Sequence, residues 1–345
     1  MCYNTTAMPE LRQNPATKEW VIIATERAKR PEDLGSGTCQ ATEAQKQACP
    51  FCPGKENLSP GEILAYRDFG TGPDSPGWWI RIIHNKYAAL MPDGKNRERT
   101  KLLDYFTMMN GLGEHEVIIE SPHHDQTIAT MDEKQVEELF LAYRERYVTL
   151  SKDPQFEMII IFKNHGIGAG TSLHHPHSQL IATPITPSHI RHRLEESMRY
   201  FDDNGRCVYC EMIAKEKSIK ERVIMETDNF IAISPFASRS PFETKILPKK
   251  HASSFDSITT ADAKELAFVM RTILKKLFIS LNNPDYNFVI NSSPCHEKET
   301  EYYHWYINVI PRVSAVAGFE LGSGIYINTV IPEEAAKYLR TIKTE

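Results

Sequence analysis

Ser172-Leu173-His174-His175-Pro176-His177-Ser178-Gln179-Leu180-Ile181-Ala182-Thr183-Pro184 has a counterpart later in the chain, Glu301-Tyr302-Tyr303-His304-Trp305-Tyr306-Ile307-Asn308-Val309-Ile310-Pro311. What precedes the two segments matches as well. Each is preceded by a β-branched run, FEMIIIFKN at 156–164 and YNFVINSS at 286–293. Before that comes a stretch with apolar residues at helical spacing, over 132–151 and 261–281, and earlier still KYAALMP at 86–92 and NFIAISP at 229–235. A Cys-x-x-Cys pair opens each series, Cys49 with Cys52 and Cys207 with Cys210. Repetition of a whole series in one order is the mark of an internal duplication. The chain therefore reads as two tandem copies of one α+β unit, residues 1–190 and 191–345, meeting in the charged stretch 187–200.

Within the first unit, 20–25 reads as a strand, followed by the basic turn Arg27-Ala28-Lys29-Arg30 and a polar loop up to the first cysteine pair. Further β-like runs lie at 80–91 and 116–120. Val136, Leu139, Phe140, Tyr143 and Tyr147 share one helical face. The run 158–162 ends in Lys163-Asn164-His165-Gly166-Ile167-Gly168-Ala169-Gly170, where glycines break the strand.

The composition is that of an ordinary globular protein, with 345 residues, 41% hydrophobic and 25% charged, enough for two domains. Forty basic residues against 45 acidic ones give a formal charge of −5. No basic field is available to grip a nucleic-acid backbone. The longest apolar runs fall far short of the roughly 20 residues that span a membrane, and residues 1–15 contain no apolar signal core. A cytoplasmic protein without nucleic-acid or membrane partners is expected.

Seven cysteines are too few for a disulfide scaffold in a chain of this length. Cys2, Cys39 and Cys295 stand alone as ordinary thiols. The four paired cysteines are each followed by separated histidines, His124 and His175 in the first unit, 51 residues apart, and His251 and His304 in the second, 53 apart. Two thiolates and two imidazoles are the donor set of tetrahedral zinc. A filled shell leaves no position for substrate, so two structural Zn2+ sites are expected, one of them open to iron. The competing reading is a redox dithiol, which duplication of the pair argues against. His123 and His174 adjoin His124 and His175, and spacing alone does not separate the neighbours.

On a strand, His175, His177 and Gln179 face one side. Alignment of His175 with His304 puts Tyr306 opposite His177, which makes His177 surplus to metal binding. With NPATKEWVIIATERAKRP, CPFC, HNKYAALMP, VIIESPHHD, FKNHGIGAGTSLHHPHSQ and GFELGSGIYINTVIPEEAA, nearly the whole chain resembles the galactose-1-phosphate uridylyltransferase family of the histidine-triad superfamily. The resemblance implies two tandem histidine-triad-like units, each an antiparallel sheet with helices packed on it, the second degenerate. It implies that His177 is the covalent nucleophile, while His175 and His124 bind metal.

By the same resemblance Asn164 and Ser172 contact the nucleotide phosphates, and Asn85 the nucleotide; Gln179, expected to act with His177 in catalysis, can supply an amide N–H to the phosphoryl oxygens, and Gly170 a backbone N–H. Arg27 and Arg30 match the family's basic phosphate-binding residues, and Gly318, Phe319 and Glu320 its sugar-phosphate segment. The expected substrates are a nucleotide sugar and a sugar 1-phosphate, the expected assembly a homodimer. A neutral imidazole suits this chemistry, because it attacks phosphorus and leaves again from a labile P–N bond. Glycines at 168 and 170 let backbone N–H groups approach a phosphate. The expected reaction moves UMP between UDP-glucose and galactose 1-phosphate. Departures from the family pattern point to an alternative, ADP-glucose phosphorylase. Ser178 replaces a glycine, and Ser314 and Tyr326 stand where the family has lysine and glutamine. A non-enzymatic, zinc-stabilised nucleotide-binding protein is the remaining alternative.

Overall fold

In a computed structural model of the chain, residues 8–25, 41–92 and 99–344 are described. A hairpin of β1 (Glu10–Gln13) and β2 (Trp20–Ile23) leads to helix α1 (Glu43–Ala48) and strands β3 (Glu62–Arg67) and β4 (Trp78–His84). A small ribbon, β5 (Thr100–Leu102) with β6 (Phe106–Met108), precedes β7 (Glu114–Ile119), α2 (Glu133–Leu150), β8 (Met158–His165) and β9 (His177–Thr183). Then come α3 (Ser188–Asn204), α4 (Val208–Ile219), β10 (Val223–Glu226), β11 (Phe230–Ile233), β12 (Thr244–Pro248) and α5 (Thr260–Ser280). The chain ends with β13 (Tyr286–Asn291), β14 (Tyr306–Pro311), α6 (Gly318–Ser323), β15 (Tyr326–Asn328) and α7 (Pro332–Thr341).

Ten strands form one antiparallel sheet in the order β10-β11-β12-β14-β13-β8-β9-β7-β4-β3. Read outward from its centre, each half runs through five strands in the same connectivity, so the fold is α+β with a duplicated unit. The halves are not separate sheets. β8 pairs with β13 across the middle, Ile161 with Ile290 through His165 with Tyr286. Helices α2 and α5 pack together over one face, where Val136, Leu139 and Phe140 meet Leu266, Met270 and Ile273 in a single core that spans both halves.

The two long helices start where their caps dictate. Asp132 accepts from Gln135 N–H, and Thr259 forms a reciprocal box with Asp262. The expected strand at 80–91 ends early, at His84, because the Asn85 side chain accepts from Tyr87 N–H and turns the chain. The counterpart of β11 is accordingly β4 rather than 86–92. The stretch 187–200, where the two units are expected to meet, is largely helical. It folds as α3, whose Ile190 and Leu194 pack on the opposite face of the sheet with Tyr209 of α4.

The N-terminal hairpin lies against the second half, with β15 adding in parallel to β2 and Arg12 bonded to Glu333. Among the described residues no helix is long and apolar enough to cross a membrane.

Candidate active site and metal centres

His177 opens β9 on the sheet face opposite α2. Its Nδ1 donates to the carbonyl oxygen of His175 at 2.8 Å, which leaves the Nε2 lone pair free. Burial depresses its pKa below the ordinary value, so the ring is held neutral. Phe51 stands edge-on to it at 5.4 Å. His177 lines a cavity of about 500 Å³ together with Phe51, Pro60, Asn85, Ser172 and Gln179.

Gln179 is oriented by a histidine that sequence reading missed. His115 Nδ1 accepts from Ala89 N–H, so its Nε2 carries the proton and donates to Gln179 Oε1 at 2.8 Å. Asn85 Nδ2 reaches the same oxygen at 3.3 Å. With Oε1 engaged twice, the amide N–H groups of Gln179 remain for a ligand in the cavity. The available signal was period two on β7, which puts His115 on one face with Val117 and Ile119.

Beneath the strand, Lys163 donates to Glu120 at 2.6 Å and to the His177 carbonyl at 3.1 Å. Both charged groups are almost fully buried. Ser178 points to this side, bonded to Glu120 and Tyr143. It does not face the cavity.

The other expected contacts are distributed differently. Asn164 accepts from Asn287 at 2.7 Å and lines a neighbouring cavity of about 340 Å³ with Arg193 and Arg312. The glycine loop does not offer its N–H groups as expected. Gly168 N–H donates to the Asp285 carboxylate and Gly170 N–H to the Ile167 carbonyl. The Asp285 carboxylate sits where a Cβ at Gly166 would be, 1.8 Å from the Asp285 oxygen, so that position admits glycine alone. Gly318, Phe319 and Glu320 lie on α6, and Glu320 lines a third cavity with Arg239, Arg312, Ser314 and Tyr326. The structure does not bring it to the cavity of His177. Arg27 and Arg30 lie outside the described residues.

Two clusters match a metal donor set. Ligand atoms of Cys49, Cys52, His124 and His175 lie within 4.8 Å of one another, as do those of Cys207, Cys210, His251 and His304. Cys52 Sγ is 3.4 Å from His124 Nδ1 and 3.6 Å from His175 Nδ1. Cys210 Sγ is 3.3 Å from His251 Nδ1 and 3.7 Å from His304 Nδ1. A tetrahedron with ordinary zinc–sulfur and zinc–nitrogen lengths has an S···N edge of about 3.6 Å, so both clusters fit an ion at their centre.

The Nε2 atoms of His175, His251 and His304 point to the carbonyls of Ser121, Thr300 and Pro248 respectively. That assigns their protons to Nε2 and turns each Nδ1 toward the sulfurs. Neither His123 nor His174 joins a cluster, which separates the neighbouring histidines that spacing left open.

Two family models match the chain. The galactose-1-phosphate uridyl transferase N-terminal domain covers residues 2–187, and the C-terminal domain of the same description covers 193–345. An ADP-glucose phosphorylase of Arabidopsis thaliana is 36% identical over 97% of this chain and 93% of its own length. A galactose-1-phosphate uridylyltransferase of Thermotoga maritima is 29% identical over 98% of this chain and 100% of its own. The crystal structure of an ADP-glucose phosphorylase from Arabidopsis thaliana with bound ADP-glucose matches with a TM-score of 0.82 at 34% identity, covering 97% of this chain and 100% of that one.

Proposed function

This chain belongs to the galactose-1-phosphate uridyl transferase family, and we propose that it is a nucleotidyltransferase in which His177 carries the nucleotidyl group between two phosphate acceptors. The observation that carries this reading is the free Nε2 of a buried, neutral His177 at the wall of a cavity large enough for a nucleotide. Nε2 attacks the α-phosphorus of a nucleoside diphosphate hexose, and the bond from phosphorus to the bridging oxygen breaks. The hexose 1-phosphate leaves with that electron pair. The ring gains positive charge as the P–N bond forms, and the His175 carbonyl at Nδ1 stabilises it. An oxygen of the second acceptor then attacks phosphorus and returns the electron pair to Nε2. Gln179 presents its amide N–H groups to the phosphoryl oxygens, with Ser172 alongside.

Both Cys2His2 clusters suit zinc, held by Cys49, Cys52, His124 and His175 and by Cys207, Cys210, His251 and His304. A bound ion with a filled shell supplies rigidity rather than Lewis acidity. We assign the two units to residues 1–190 and 191–345.

The substrate pair of the first reading is UDP-glucose with galactose 1-phosphate, supported by the galactose-1-phosphate uridylyltransferase name of the Thermotoga relative. ADP-glucose with inorganic phosphate is the second reading, supported by the 36% identity to the plant phosphorylase and by Ser314 and Tyr326 in place of lysine and glutamine. Incubation with each nucleotide sugar labelled at the α-phosphorus tests the mechanism. Acid-labile, base-stable label on the protein is expected, and its absence with both donors would remove the covalent step. Competition between the donors, with each acceptor in turn, decides the pair. Faster turnover of ADP-glucose with phosphate overturns the uridylyl assignment and leaves the histidine mechanism intact.

A further inference from the structure

The second half retains a cavity at the place that mirrors the one lined by His177. Gln179 faces Val117 across β9 and β7, and Asn308 faces Lys245 across β14 and β12. Tyr306 therefore takes the place of His177, and Lys245 that of the apolar Val117. The cavity measures about 200 Å³, with Lys245, Tyr306 and Asn308 on its floor and Arg193 and Arg239 on its walls.

Its charges are incompletely matched. Lys245 is 4% exposed, and its ammonium sits 4.3 Å from the centre of the Tyr306 ring, with no carboxylate or hydrogen-bond acceptor among the described residues. Arg193 donates to Asn291 and to the Tyr306 hydroxyl, again without a carboxylate. Of the two acidic groups nearby, Glu19 pairs with Arg239, and Glu243 accepts from Asn308 Nδ2 at 2.8 Å and from Arg239 N–H. Asn308 Oδ1 is buried with nothing donating to it. A buried carbonyl without a donor is costly, the Lys245 ammonium beside it has no protein acceptor among the described residues, and one ligand can satisfy both.

We propose that this cavity is a non-catalytic binding site for a phosphoryl group, inorganic phosphate or a small phosphomonoester. The anionic oxygens meet Lys245 and Arg193, and a P–O–H group donates to Asn308 Oδ1. Sulfate at neutral pH has the charge without the proton. The volume is well below that of the first cavity and suits a phosphate rather than a nucleotide sugar. Tyr306 at the position of the nucleophile makes the site one of binding alone. This assignment stands apart from the nucleotidyl-transfer reading and fails or holds separately.

The test is a thermal melt of the metal-loaded full chain in millimolar inorganic phosphate, against chloride and sulfate at equal ionic strength. The expected result is a rise of several degrees in phosphate, smaller in sulfate. The rise should be preserved in His177→Asn and Lys245→Arg and absent in Lys245→Met. Lys245→Arg guards against reading a general loss of stability as loss of the site. No increment in the unmodified protein, an equal increment in Lys245→Met, an equal effect of sulfate, or loss in His177→Asn alone would each overturn the proposal.

Discussion

At the scale of the residue, the proposed chemistry rests on one imidazole ring. Burial keeps His177 neutral, and the His175 carbonyl fixes which nitrogen bears the proton. His177→Asn should therefore abolish protein labelling and lower turnover by on the order of 10³-fold or more, while metal content and melting temperature stay near normal. Loss of an ion instead would show that ligand and nucleophile have been exchanged in the assignment. His115 does not line the cavity of His177 and acts through the side chains it holds, Gln179 at 2.8 Å and Asn85 beside it. Replacing it with Leu frees the Gln179 amide to flip, and the expected outcome is a fall of about ten- to a hundredfold in kcat, with labelling slowed but present. Unchanged kinetics in His115→Leu would mean that Asn85 alone orients the glutamine. Ser178 shows how a residue's type and its direction differ in what they tell. Its type marks a departure from the family pattern, yet its hydroxyl is bonded beneath the strand to Glu120 and Tyr143, so any influence on specificity passes through the position of its neighbours.

At the scale of the element, strand alternation divides the site into two faces. On β8 and β9, Asn164, His177 and Gln179 lie on one side, and Lys163 and Ser178 on the other. The Glu120–Lys163 pair beneath is held in the low-dielectric core, where breaking one partner strands the other. Lys163→Met should lower unfolding free energy by about 3–5 kcal/mol, read from urea denaturation. The double variant with Glu120→Leu should regain a large part of that loss. A single variant as stable as the unmodified protein would show that the pair adds nothing. Alternation and helical spacing were legible in the sequence, and so were the starts of α2 and α5, because caps and periodicity act over a few residues. The end of β4 was not legible. An apolar run reads the same on either side of His84, and only the Asn85 turn stops it.

At the scale of the whole molecule, duplication sets out two Cys2His2 clusters, each able to hold an ion, with different neighbours. The first contains His175, two residues from His177, and the second lies on the half where Tyr306 stands at the position of His177. Purified protein should carry two ions per chain by elemental analysis, and Cys49→Ser and Cys207→Ser should each remove one and lower the melting temperature. Activity should fall further in Cys49→Ser than the stability loss explains, because the ring of His175 loses its anchor. Equal loss in both variants would assign the effect to folding alone. The sequence by itself determined the duplicated α+β unit, the two cysteine pairs and the surplus histidine, since each is written in residue type and local spacing. Tertiary structure decided that the halves share one ten-stranded sheet, which histidine of each adjacent pair joins the first cluster, that Asp285 occupies the glycine loop, and that His177 and Glu320 line separate cavities. All of these depend on strand register and side-chain direction between segments distant in the chain, where a shift of one residue reverses every face.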